Sequence, residues 1–92
     1  MKIFVYTARR YAGAMKAVVG DKATLVSCPP VVDSIIDPMV FSGYDLIVFN
    51  LHGQPGVPVW FGGDGQDDGV PALKAKTLEK MDLLGAGVFA VN

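Results

Sequence analysis

Apolar residues recur along this chain in different rhythms, and each rhythm predicts a different element. Residues 44–53 (YDLIVFNLHG) carry a nearly unbroken run, Leu46, Ile47, Val48, Phe49 and Leu51, with Tyr44 ahead of it. That run predicts a strand buried on both faces, as in the centre of a parallel sheet covered by helices. Residues 2–7 (KIFVYT), rich in β-branched and aromatic side chains, predict another strand. Residues 22–27 and Gly87–Val91 (GVFAV) predict two more.

Between the strands the spacing changes. Tyr11, Ala14, Met15, Val18 and Val19 stand at i, i+3, i+4, i+7 and i+8. They predict one apolar face of a helix over residues 9–19, which Thr7 can cap and Gly20 ends. Val32, Ile35, Ile36, Met39 and Val40 repeat the helical spacing, and Pro30 suits a first helical turn. Pro38 divides that stretch into two short pieces, the second capped by Asp37 with Pro38 at its first position. Residues 57–61 and 70–75 are extended, and between them lies a polar tip, residues 62–69 (GGDGQDDG). Leu73 and Ala75 alternate with Lys74 and Lys76, so the pair predicts a β-hairpin; the rival is a helix opening at Pro71. Thr77 then looks like the N-cap of a short helix over residues 78–82.

The order is β-α-β-α-β-(hairpin)-α-β. Right-handed crossovers make the sheet parallel. The fold class expected is α/β: a three-layer sandwich with a mainly parallel sheet of strand order 2-1-3-4 and a β-hairpin after strand three. The 92 residues suffice for one domain, spanning 1–92. A net charge of −1 without a basic stripe argues against a nucleic-acid partner. No apolar run is long enough to span a bilayer, so no membrane partner is expected. The chain opens directly into a strand without a signal-peptide pattern, and its single cysteine, Cys28, cannot form an internal disulfide. A reducing, cytoplasmic setting is the expectation.

Candidate chemistry concentrates at one place. The only histidine, His52, follows the central strand directly, and ligands of open α/β sheets sit beyond the carboxyl ends of the strands. Gly53 beside it lets a backbone N–H approach a substrate closely; the bland alternative is a polar strand terminator. The tip at 62–69 fails as an EF-hand, since position twelve counted from Asp64 is Ala75, and its aspartates repel phosphate. It reads as a solvated turn. No cofactor or metal site is expected. Cys28, on an expected edge strand remote from His52, reads as a small buried residue. Arg9 and Arg10, following strand one, read as a solvated helix start, with anion binding as the alternative.

Taken together, these pieces resemble the caspase-like cysteine peptidases (clan CD: caspases, metacaspases and CHAT domains). The shared order is a buried strand (residues 46–50) ending in His52-Gly53, a hairpin with an Asp-Gly tip (57–75), a short helix opened by Thr77, and a strand (88–92) that in the family delivers the catalytic cysteine. The resemblance implies that His52 is the general acid or base of a Cys-His dyad and that the Gly53 N–H is an oxyanion donor. It also implies an arginine from the loop after strand one in the substrate pocket, a place that Arg9 and Arg10 occupy without a motif fixing the equivalence. The departure is the nucleophile: the chain stops at Asn92, where the cysteine is due, so a truncated domain is expected, inactive by itself, with a peptide or protein substrate once completed. Its last strand, Gly87–Val91, would then be an open sheet edge that self-associates. Residues 44–56 also look like the third strand of response-regulator receivers, with Asn50 in the phospho-acceptor position. Against this, Thr7-Ala8-Arg9 replaces the acidic pair, and a receiver enters a helix soon after its Pro-Gly. A plain small α/β interaction domain is the third reading.

Overall fold

The computed structural model describes residues 1–66, 69–81 and 87–91, and of residues 88–91 the backbone alone. β1 (Ile3–Ala8) passes through a 3-10 turn (Arg9–Tyr11) into α1 (Ala12–Val19), and a second 3-10 turn (Gly20–Lys22) feeds β2 (Ala23–Cys28). A third (Pro38–Phe41) precedes β3 (Leu46–Asn50). β4 (Val59–Gly62), β5 (Val70–Lys74), α2 (Ala75–Glu79) and β6 (Gly87–Val91) complete the order. The parallel sheet runs β2-β1-β3-β6, which is the expected 2-1-3-4, while β4 and β5 form the expected antiparallel pair.

The register sets Phe4 beside Ile47, Tyr6 beside Phe49 and Ala8 beside Cys28. Strand alternation therefore sends Phe4, Tyr6, Ile47 and Phe49 to one face. There they are buried with Phe41, Leu51, Ala72, Leu73 and Met81. Phe4 meets Phe41 and Tyr44 edge to face, with ring centroids 4.7 and 5.1 Å apart. The buried Tyr6 hydroxyl donates to the Ala72 carbonyl at 2.7 Å and so ties β5 down onto β1. The other face of β1, with Val5 and Thr7, looks towards α1, which touches β1 and β2. Right-handed crossovers account for this split: the β1-to-β2 and β2-to-β3 connections move in opposite directions along the sheet and pass over opposite faces.

Several local expectations are corrected. Thr7 lies inside β1 with its hydroxyl on the Ala8 carbonyl, 3.1 Å away; Ala8 holds the cap position and no side chain caps the turn. The predicted apolar helix face is only half covered, with Val18 80% exposed and no α1 residue buried. Two causes combine: residues 9–11 wind as a tighter 3-10 turn, which breaks the phase between Tyr11 and the rest, and α1 is only eight residues long. No helix forms after Pro30. Residues 32–36 make one turn, the Ile36 N–H on the Val32 carbonyl at 3.0 Å, and the Asp33 N–H is diverted to the Pro71 carbonyl, also 3.0 Å away. A segment that short between two prolines cannot repay helix nucleation.

The second piece behaves as predicted. Asp37 caps the Pro38–Phe41 turn through a 2.9 Å bond from the Met39 N–H. Thr77 is not a cap. α2 already starts at Ala75, and the Thr77 hydroxyl donates to Asp33 Oδ1 at 2.7 Å. The same oxygen accepts the Lys74 N–H at 2.8 Å, so a remote aspartate serves the helix start. The helix also ends early, at Glu79 with Lys80 as its C-cap, short of the expected end at residue 82.

Candidate functional site

β3 is held in register by Leu46, Ile47 and their neighbours, and it releases the chain at Asn50. Leu51, 2% exposed, still anchors in the core, so the next residue emerges at the carboxyl edge with little freedom. That residue is His52. Its backbone is clamped twice: the His52 N–H donates to the Phe61 carbonyl and the Phe61 N–H to the His52 carbonyl, both at 2.7 Å.

From Phe61 the hairpin crosses the carboxyl edge of the sheet. Gly62 packs on Cys28 so closely that a Cβ there would stand 2.6 Å from the Cys28 carbonyl oxygen and 2.7 Å from its Sγ. The Gly63 N–H donates to the Cys28 carbonyl at 2.9 Å, and the Gly63 carbonyl accepts the Arg10 N–H at 2.9 Å. Three residues thus bridge from the end of β3 to the end of β2, passing the end of β1. The first two residues of the tip, Gly62 and Gly63, are accordingly buried rather than solvated, while Asp64, Gly65, Gln66 and Gly69 are exposed as expected. Asp67 and Asp68 lie outside the described residues.

The imidazole is half-buried against Tyr11, with ring centroids 5.6 Å apart in an edge-to-face arrangement. Its Nε2 is shut off from solvent and has no hydrogen-bond partner among the described residues. Such an atom costs about 1–3 kcal/mol. The Arg10 guanidinium lies over the same Tyr11 ring, 5.2 Å from its centroid. Arg10 is therefore linked to His52 through an aromatic ring, which the sequence reading did not anticipate; Arg9 is exposed. Gly53 is exposed and opens a groove of about 300 Å³ lined with Gln54, Pro55, Val57 and Trp60.

Cys28 is fully buried at the end of the outer strand β2, as the sequence reading expected. Burial pushes its thiol up, against the weaker opposite pull of hydrogen bonds with Tyr6 and Gly62. A thiol held protonated is a poor nucleophile. Burial likewise pushes the Tyr6 phenol well above its ordinary range, with the nearby Cys28 and Asp33 adding to the effect. Asn50 is half-buried, paired in register with Thr7 on one side and Val91 on the other. Among the described residues no three side chains of metal-binding type come together. No helix among them is long and apolar enough to cross a membrane.

The residues that sequence reasoning missed are Tyr11, Phe61 and the pair Gly62-Gly63. Consecutive glycines directly after an apolar extended stretch were the available signal, since glycine in or beside a strand marks close backbone approach. Comparison with protein-family models, with curated proteins and with solved structures found no match to this chain.

Proposed function

We propose that this chain is the histidine-bearing part of a caspase-like cysteine peptidase domain, inactive by itself because the cysteine expected after β6 is not among its residues and Cys28 is buried at the end of β2. One observation carries the reading: β6 pairs with β3 so that Val91 stands level with Asn50. A chain continuing past Val91 in that register comes level with Leu51 and His52. A nucleophile supplied there would face the imidazole and the Gly53 main chain together. His52 would move the proton, and the Gly53 N–H would meet the developing oxyanion. The hairpin supports the same reading over the receiver-like alternative, because the chain after Gly56 is extended and antiparallel where a receiver turns helical. The orphaned Nε2 supports it further, since structural histidines are ordinarily satisfied.

The test is the protein extended through the residues encoded after Asn92. The reading expects a cysteine within one or two positions, cleavage of peptide amides, and loss of about a hundred- to ten-thousand-fold on His52→Ala. The 92-residue chain is expected to show no turnover. An extended protein without that cysteine, or one active yet indifferent to His52→Ala, overturns the assignment.

The partner proposal follows from the same topology. β6 ends the sheet order, so its outer main-chain edge has no strand beside it among the described residues, and its sequence holds no charge and no proline. Open edges of that kind recruit other strands. A two-fold pairing of Gly87–Val91 with itself is expected in light scattering as a concentration-dependent dimer, and Phe89→Lys should shift it to monomer. A monodisperse monomer at high concentration refutes the pairing.

A further inference from the structure

We propose that Tyr11 is the positioning residue of His52: its ring sets the plane of the imidazole, and the hairpin holds both residues to one frame. The use of that plane for proton transfer rests on the peptidase reading; the placement of the two rings does not.

The His52 main chain is pinned, since its N–H and its carbonyl both pair with Phe61 at 2.7 Å. What remains is rotation of the side chain. A histidine ring is ordinarily oriented by a hydrogen bond at one of its nitrogens. At Nε2 no described residue supplies one. The Tyr11 ring stands in that role instead, with 5.6 Å between centroids and 64° between planes. Such edge-to-face pairs are directional, because the positive rim of one ring seeks the negative face of the other.

The tyrosine is itself placed by the hairpin. Arg10, the residue before it, donates its N–H to the Gly63 carbonyl at 2.9 Å. The contacts therefore close a circuit: His52 to Phe61, along the hairpin to Gly63, across to Arg10, and from Tyr11 back to His52. Every link but the last is covalent or a main-chain hydrogen bond. The last is the ring pair. Tyr11 also ends the 3-10 turn and stands at the N-cap position of α1, and the Arg10 guanidinium adds a second contact to its ring.

The same construction occurs at the opposite end of the sheet and supplies the comparison. Tyr44, half-buried like Tyr11, meets the Phe4 ring edge to face at 5.1 Å, with the Lys2 ammonium 5.1 Å from its own centroid. There the partner ring carries no titratable nitrogen. Loss of Tyr44 removes as much aromatic packing as loss of Tyr11 but touches nothing at His52.

His52 is the only histidine, so its ring signals are unambiguous. The experiment records ring-to-ring cross-relaxation and imidazole proton shifts by NMR in the 92-residue protein and in Tyr11→Phe, Tyr11→Leu and Tyr44→Leu. Cross-peaks between the Tyr11 and His52 rings are expected in the parent, and Tyr11→Phe should keep them, because the contact is made by the ring. Tyr11→Leu should move the imidazole signals towards those of a free histidine while the His52 amide stays protected by Phe61. Tyr44→Leu should leave them in place. A parent without cross-peaks overturns the proposal, and this reading needs no variant to fold. So does Tyr11→Leu with unmoved imidazole signals, or Tyr44→Leu that moves them as far. In the protein extended past Asn92, Tyr11→Leu should lower kcat by about ten- to a hundredfold with KM little changed, the effect of a misplaced group rather than a lost binding contact. Turnover indifferent to Tyr11→Leu overturns the positioning role. An extended parent without turnover overturns the peptidase reading alone, and the ring placement is then decided by the NMR result.

Discussion

Gly62→Ala should be among the most damaging single-methyl additions in this protein. The added Cβ would lie 2.6 Å from the Cys28 carbonyl oxygen and 2.7 Å from both its Cβ and Sγ. Two of those three atoms belong to, or sit directly on, the backbone at the end of β2, and that backbone is pinned by the Gly63 N–H. Only Sγ can rotate away, so the hairpin must lift by roughly an ångström to clear the other two. Overpacking of a rigid site costs typically about 1–3 kcal/mol, and here the upper half of that range is expected. For a domain of this size each kcal/mol is worth about 4–8 °C in Tm, so a fall of about 10–20 °C should appear in thermal denaturation. Gly13→Ala is the internal control. Its added methyl meets nothing within 4 Å, and it lies inside α1, so it should stabilise by about 0.5–1 kcal/mol.

The more telling readout is local. Lifting Gly62 pulls on Phe61, and through the paired bonds at 2.7 Å it pulls on His52. Amide exchange at His52 and Phe61 should therefore accelerate in Gly62→Ala more than exchange at Val5 or Ile47. Adding Cys28→Gly removes the contacts to Cβ and Sγ but leaves the carbonyl at 2.6 Å, so it should recover only part of the loss. If Gly62→Ala shifts stability by less than about 0.5 kcal/mol, the hairpin does not lie across the sheet edge as described, and the placement of His52 fails with it.

Asp33→Ala should cost on the order of 1.5 kcal/mol, because one carboxylate oxygen accepts both the Lys74 N–H and the Thr77 hydroxyl; urea titration alongside Thr77→Val, with less than additive loss in the double variant, would check it. Stability should fall at alkaline pH. Cys28 and Tyr6 both hold their protons more tightly folded than unfolded, so above the ordinary thiol value of 9.0 the unfolded chain releases protons first and is favoured. Below that value the contribution is fully present, and the decline should flatten in Cys28→Ala; a pH-independent Tm between 8 and 11 would refute it.

How far the sequence disclosed this fold depends on the range of the interaction involved. The parallel order was legible because β3 announces itself by a double-sided apolar run and the alternation of elements leaves few right-handed topologies. The hairpin was legible from Pro58 and Pro71, which argue against helix and central strand alike. Asp37 was legible because a cap is settled within three residues. Thr77 was misread for the opposite reason. Its partner, Asp33, is 44 positions away, and no local pattern carries that pairing. The face of α1 was misread because its periodicity was taken through residues 9–11, where the winding is 3-10. His52 was placed correctly at the sheet edge, yet its clamp to Phe61 and the packing of Gly62 on Cys28 are long-range backbone contacts that only the folded chain reveals.

That crossing strand also decides from which side His52 can be reached. Towards β2 the carboxyl edge is closed, since Phe61, Gly62 and Gly63 lie across it and two of their N–H groups are already committed to His52 and Cys28. A site of the receiver kind needs that ground open, because its acceptor ends β3 and its acidic partners end β1. Here Asn50 is flanked by Thr7, which is buried, and Thr7-Ala8-Arg9 brings no carboxylate. Towards β6 the situation differs. The register runs out at Asn50 and Val91 together, and the groove at Gly53 and Trp60 opens beyond the single His52–Phe61 bridge. Under the proposed peptidase reading, what acts with His52 would arrive by that side, as chain rising from β6. That approach ends beside the Gly53 main chain, so on the proposed reading the side that the hairpin leaves open is the side on which a nucleophile would be brought to His52.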